Sequence, residues 1–233
     1  MEINNFFSLS LFCGAFITIV CYLIGDMIQK KVKSPFFNTL LFAIILVIAI
    51  LKGGSISYDS YMFSAKYVSY FLTPATICLA VPLYEKRALV AKYFSAIMGG
   101  ILVSVTANIF VIYVFSLLFS FSHLQYVTFL PKSITTAIGL TLAEEIGGIP
   151  NLTVVAICTT GITGHIIAEP LLRNLLKVKS PVAVGIAIGS TAHALGTSKA
   201  IEMGEAEGAM SGLAIVLTGI LTVLLVPLAV SFI

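Results

Sequence analysis

Runs of about twenty apolar residues recur along this chain, and each is long enough to cross the roughly 30 Å hydrocarbon core of a bilayer. The candidate spans are 6–24, 35–51, 67–84, 93–119, 152–172 and 209–232. Of the 233 residues, 59% are hydrophobic and 10% are charged, against about 25% charged in an ordinary soluble domain. No segment alternates polar and apolar residues as a barrel strand must, so a helical bundle is expected. The first run lacks the basic segment of a cleavable signal and reads as a retained helix. Cys13, Cys21, Cys78 and Cys158 all fall in apolar runs without CxxC spacing, so they read as buried free thiols rather than disulfide or metal ligands.

Lysine and arginine cluster in a way that orients the spans. Lys30, Lys31 and Lys33 follow the first run, Lys86, Arg87 and Lys92 follow the third, and Arg173, Lys177 and Lys179 follow the fifth. Nine of the thirteen basic residues lie in these three loops, and the positive-inside rule places such loops in the cytoplasm. The N-terminus is then outside. Span 93–119 exits the membrane, and span 152–172 must start outside to deliver Arg173 inside. Residues 131–151, "PKSITTAIGLTLAEEIGGIPN", therefore begin and end on the same side, as a re-entrant or broken element does. Irregular backbone at that depth is tolerated only where protein or water covers it.

A weak internal repeat points the same way. "TTAIGLTLAEEIGGIPNLTVV" can be laid beside "STAHALGTSKAIEMGEAEGAMSGLA", and under this topology the two copies face opposite directions. Paired interrupted segments in an inverted repeat mark transporter binding sites. The expected fold is all-α: a single polytopic membrane domain over 1–233. Scaffold spans occupy 1–130, a first broken-helix repeat 131–172, and a second, inverted repeat 181–233.

The same stretches, "LPKSITTAIGLTLAEEIGGIPNLT" and "GIAIGSTAHALGTSKAIEMGEAEGAMSGLA", with "PATICLAVPLYEKR" before them, resemble the LrgB/CidB family of membrane proteins. The resemblance covers the whole chain and is most specific over 130–214. It implies an antiholin-like protein that modulates murein hydrolase activity and autolysis beside a small holin-like partner of the LrgA/CidA type. It also implies kinship with carriers of small carboxylates, including plastid glycolate/glycerate translocators and bacterial pyruvate systems. Two positions depart from the pattern. Lys199 stands where many relatives have Arg, which keeps the charge but loses the planar fork. Ala137 stands where many have Pro.

The residues themselves present a candidate site. His193, among Ser190, Thr191 and Thr197, has hydrogen-bonding neighbours and titrates near neutral pH, so it suits anion binding or proton coupling. Lys199 is placed to meet a carboxylate, and Glu202 three residues on is its local partner. Lys132 reads either as a second anion contact or as an interfacial anchor. Thr135 and Thr136, like Ser190 and Thr191, are expected to begin helical segments whose free N–H groups and hydroxyls cradle an anion. Glu144 and Glu145 read either as a proton-coupling pair or as solvated carboxylates at the outer interface. Gly147, Gly148, Pro150, Gly189 and Gly196 are expected to permit backbone breaks and close approach rather than to bind anything directly. His165 and Glu169, four apart on one helix face, could coordinate a metal or relay protons, but are read first as a structural pair near the inner membrane surface.

No phosphate loop, nucleophilic triad, metal motif or nucleic-acid patch is present in the sequence, so no enzyme activity, cofactor or nucleic-acid partner is expected. The expectation is a transporter of a small anionic metabolite in the bacterial inner membrane, acting as a homo-oligomer. The alternative is a non-transporting antiholin-like regulator that oligomerises with a holin-like subunit.

Overall fold

The computed structural model describes residues 10–32, 39–71, 74, 77, 78, 80–85 and 87–233. Among the described residues all regular structure is helical, and the chain parts into two compact units, Met1–Ala75 and Thr76–Ile233.

The first unit holds α1 (Cys13–Val32), α2 (Thr39–Gly53) and α3 (Tyr58–Ser69). Helix α1 meets α3 at Gly14, whose N–H donates to Ser64 Oγ at 2.7 Å. A side chain at Gly14 would run into the Tyr61 carbonyl. Helix α1 continues past the expected end at Ile24, and its last turns carry an Asp26–Lys30 pair at 2.6 Å. The expected starts at 6 and 35 lie outside the described residues, as do Lys33 and Lys86. The span expected over 67–84 is not one described helix. Helix α3 ends at Ser69, and residues 72, 73, 75, 76 and 79 lie outside the described residues.

The second unit begins with the short α4 (Ala80–Glu85) and α5 (Arg87–Lys92), followed by α6 (Phe94–Leu118), α7 (His123–Phe129) and α8 (Thr136–Glu145). Helix α9 (Pro150–Glu169) continues into a π-helical turn (Pro170–Leu175). Helices α10 (Pro181–Met203) and α11 (Glu205–Ala229) complete it, with a closing 3-10 turn at Val230–Phe232. Among the described residues four helices are long and apolar enough to cross a membrane: α1, α6, α9 with its π turn, and α11 with its closing turn.

After α7 the chain folds back on itself. Ser122 and Gln125 form a capping box at the start of α7. The chain then turns through residues 130–135 and leaves α8 at Gly147, which needs its positive φ of 78° and is followed by a Gly148 N–H to Ala143 carbonyl bond of 2.7 Å. That exit returns beside α7. The Ile149 N–H donates to Thr128 Oγ1 at 3.0 Å, and Thr153 Oγ1 donates to the Thr128 carbonyl at 2.8 Å. Pro150 then starts α9 at a position where its missing N–H costs nothing.

Helix α10 is also two limbs. His193, at φ 41° and ψ −139°, interrupts the helical path and separates α10a (181–192) from α10b (194–203). A Cβ on Gly196 would lie 2.9 Å from Ile188 Cγ2 and 3.4 Å from the Ile188 carbonyl oxygen. In a straight helix eight residues span about 12 Å, so the limbs must fold back. Val184 and Ala200 accordingly share one buried cluster, where a straight helix would hold them about 24 Å apart.

Helix α11 then packs on both limbs. It runs along α10a through Gly185 near Glu207 and Met210, then Gly189 near Ser211 and Ala214. It returns along α10b through Thr197 against Ser211 and Ile201 against Gly208.

The break expected at Gly189 or Gly196 therefore falls at His193. Both glycines lie within helical limbs and serve the other expected role, close approach: Gly189 to the Ser211 backbone, Gly196 to the opposite limb. The shift reverses the expected role of Ser190 and Thr191. They occupy the last turn of α10a, where carbonyl groups and partial negative charge gather, not the start of a helix.

A non-glycine residue at this φ and ψ is strained. His193→Gly is expected to be less destabilising than His193→Ala by about 1 kcal/mol, because both lose the imidazole but only glycine relieves the backbone. Thermal melts of the two variants in detergent check the ranking; alanine melting at or above glycine would contradict it.

Candidate functional site

The two hairpins bring their tips to neighbouring turns of α6. Asn108 Nδ2 donates to the Leu130 carbonyl at 3.2 Å, and Asn108 Oδ1 accepts from Ser133 Oγ at 3.1 Å. Four residues earlier on α6, Ser104 Oγ approaches the Ser190 carbonyl at 3.5 Å. Positions four apart lie on one face, about 6 Å apart along the axis. Between α6, the 130–135 turn and α10a runs a cavity of about 780 Å³. Lys132, Ser133, Asn108, Ser104, Ser190 and Thr191 are among its lining residues, in a mostly apolar wall.

Each of these polar groups has a defined hydrogen-bond role. The Lys132 ammonium donates to Ser133 Oγ at 3.2 Å. Thr191 Oγ1 donates to the Ala187 carbonyl at 2.7 Å, and Ser190 Oγ contacts the same carbonyl at 3.4 Å. Their hydrogens are engaged on their own helix, so these hydroxyls face the groove as acceptors. That differs from the expected anion cradle.

His193 lies behind the second tip and is 4% exposed. Its Nε2 lies 3.0 Å from the Ile157 carbonyl of α9. A carbonyl only accepts, so Nε2 carries the hydrogen. The ring fits because α9 has glycine opposite it: a Cβ on Gly161 would sit 2.6 Å from His193 Cε1. Thr197 Oγ1 donates to the His193 carbonyl at 2.9 Å and meets Ser211 Oγ at 2.6 Å. His165 binds the partner limb in the reverse sense, its Nδ1 lying 3.1 Å from the Leu195 carbonyl and 3.2 Å from Ser198 Oγ.

Lys199 stands apart from the groove. Its ammonium lies 2.7 Å from Glu169 and 3.4 Å from Glu202, so its charge is matched within the protein. His165 and Glu169 thus form two points of one clamp between α9 and α10b. Thr135 caps α8 by backbone geometry only, and its hydroxyl is buried without a hydrogen-bond partner among the described residues. Neither it nor Thr136 lines the groove. Glu144 and Glu145 are both exposed at the end of α8, beside Gly147 and outside the groove.

Two features are absent from the sequence-based expectations. Asn108, a polar residue at the centre of an apolar span, carries a signal of its own, because such residues rarely occur there without a partner. The second is an ion pair between Arg173, in the π turn, and Glu207, whose side chain is 8% exposed. Arg173 also donates to the carbonyls of Val178 at 2.8 Å and Lys179 at 3.1 Å, tying the α9–α10 linker to the start of α11. Its place in a basic cluster, which marks topology, conceals this role. A metal centre is not supported by any cluster of His, Cys, Asp and Glu among the described residues.

Comparison with known proteins adds an independent line. The model of the LrgB-like family matches residues 18–232. The chain is 36% identical over 227 residues to the antiholin-like protein LrgB of Bacillus subtilis, covering 97% of this chain and 98% of that protein. It is 35% identical over 221 residues to the antiholin-like protein LrgB of Bacillus mycoides, covering 94% and 96%. It is 35% identical over 214 residues to the holin-like protein CidB of Staphylococcus epidermidis, covering 92% and 93%. No solved structure matches the chain.

Glu207 is buried, while Arg173 is partly exposed and keeps its two carbonyl partners. Glu207→Ala is therefore expected to cost about 1.5–3 kcal/mol, the range of a hydrogen bond to a charged group. Arg173→Met combined with Glu207→Leu is expected to recover only part of the loss, since the carbonyl bonds go too. Thermal unfolding of the single and double variants reads both effects.

Proposed function

This chain belongs to the LrgB-like family, and from that premise we propose that it is a membrane carrier of small carboxylates, of the glycolate, glycerate and pyruvate class. The carrying observation is the meeting of two folded-back hairpins on adjacent turns of α6, with a mostly apolar groove that carries polar residues where their tips face each other. Discontinuous helices that meet inside a bundle are how membrane carriers expose polar groups to a solute without exposing them to lipid.

In this reading both hairpins are re-entrant, entering from opposite faces of the bacterial inner membrane, with the N-terminus outside. Several contacts support opposite orientations. The end of α9 meets the start of α11 at Arg173 and Glu207, while the far end of α11 meets α7 through Tyr126 Oη donating to the Ala229 carbonyl at 2.9 Å. The start of α9 is beside α7 through Thr153 and Thr128. The two long helices after the hairpins therefore run antiparallel, as the members of an inverted repeat do.

The expected site residues take different roles here. Ser190 and Thr191 line the solute path. His193 and Thr197 hold the second tip, and Lys199 clamps its outgoing limb. Glu144 and Glu145, at the end of α8, are available to protons from the membrane surface rather than from the groove. Alternating access is rocking of the hairpin-bearing elements about the groove.

The holin-like and antiholin-like names of the relatives favour a second reading: a non-transporting regulator of murein hydrolase activity and autolysis, which the family resemblance implies, assembling with itself and with a small holin-like membrane protein. The two readings diverge in one experiment. Purified protein in liposomes is expected to take up radiolabelled pyruvate or glycolate saturably, with counterflow from preloaded vesicles. Absence of uptake for every small carboxylate tried, alongside stable co-purification with a holin-like subunit, would reject the carrier.

A further inference from the structure

From the hydrogen-bond chain at the first hairpin tip, we infer that Lys132 is the anion-binding point of the groove, aimed by Ser133 and Asn108, and that the groove takes a solute with a single carboxylate. The inference rests on the carrier reading in treating the bound anion as cargo and in setting the first hairpin tip within the membrane.

The direction of every bond in the chain is determined. The Leu130 carbonyl can only accept, so the Asn108 amide nitrogen faces it and Oδ1 faces Ser133. Ser133 Oγ therefore gives its hydrogen to Asn108 and offers a lone pair to Lys132. An ammonium has three hydrogens, and this arrangement engages one. The Ser133 side is buried, at 7% exposed, and Lys132 is among the residues lining the cavity. Among the described residues no carboxylate lies within ion-pair distance of Lys132, in contrast to Lys199 with its two. A cation inside a membrane bundle calls for a counter-charge, and the groove is the open side from which one can come.

The same wall sets the number of charges. Among the described residues Lys132 is the only charged one lining the cavity. Across from it, Thr191 has its hydrogen on the Ala187 carbonyl and presents lone pairs. Beside Thr191 a second carboxylate would meet acceptors and the negative end of α10a, with no cation to match it. Monocarboxylates are thus selected over dicarboxylates by repulsion as well as by attraction.

Equilibrium binding of radiolabelled acetate and pyruvate, with succinate as the dianion, to the full chain in nanodiscs tests this. Wild-type protein is expected to bind the monoanions saturably and to prefer them to succinate by about tenfold or more, and Lys132→Met to lose about tenfold or more in affinity, the size of one charge-assisted hydrogen bond. Ser133→Ala, which keeps the charge but not its aim, is expected to weaken binding and Ser133→Thr to restore it. If Lys132→Met does not fold, the serine pair decides alone. Unchanged affinity in Lys132→Met, an equal affinity for succinate, no binding of either monoanion, or a Ser133→Ala variant that binds like wild type would overturn the inference.

Parallel liposome uptake separates the two proposals. Lys132-dependent binding without transport sinks the carrier and leaves the site. Transport indifferent to Lys132 sinks the site and leaves the carrier.

Discussion

The bond from His193 Nε2 to the Ile157 carbonyl organises the second half of this protein. A helix does not fold back in the middle of a bundle unless something holds the reversal, because the residue at the bend sits in backbone geometry that side chains avoid. Here the imidazole provides the hold by bonding to α9, and Gly161 makes the space that the ring needs. Thr197 engages the carbonyl at the bend and passes the connection to Ser211 on α11. The polar residues of "STAHALGTSKAIE" thus serve first to build a reversal, and the groove beside it is a consequence of where the reversal points.

Close backbone approach is the second constraint. Gly185 and Gly189 let α11 lie against α10a, and Gly196 lets the two limbs of α10 touch. In a membrane the association of helices relies on such packing, since lipid offers apolar side chains as good an environment as protein does. The charged pairs are placed at the ends of these contacts: Lys199 with Glu169 and Glu202 beside the second limb, and Arg173 with Glu207 at the start of α11. Both draw together segments that are remote in sequence, and both leave Lys132 as the one charge among the described residues of the groove.

Much of this architecture is legible in the amino-acid order. Apolar runs mark α6, α9 and α11 to within a few residues, because a span must be apolar along its whole length and its ends must stop where polar residues begin. The polar stretches at 131–151 and 190–202 stand out as interruptions for the same reason. The location of the second interruption is not legible. Glycine is the usual residue for irregular backbone, which points to Gly189 and Gly196, yet a hydrogen bond to a helix thirty-six positions earlier holds the break at His193 instead. The partner of Lys199 is equally hidden, because Glu169 is thirty positions away and only folding brings it near.

By itself, then, the amino-acid order determined that this is a helical membrane protein of the LrgB-like family, since span length, charge clusters and motif identity are properties of contiguous residues. Tertiary structure decided which polar residues face the groove and which serve the scaffold. Lysines 132 and 199 are chemically alike and both lie in polar motifs. One has its charge answered by two carboxylates, and the other has a serine and open space. That difference comes from contacts between distant segments, which only the folded chain brings together.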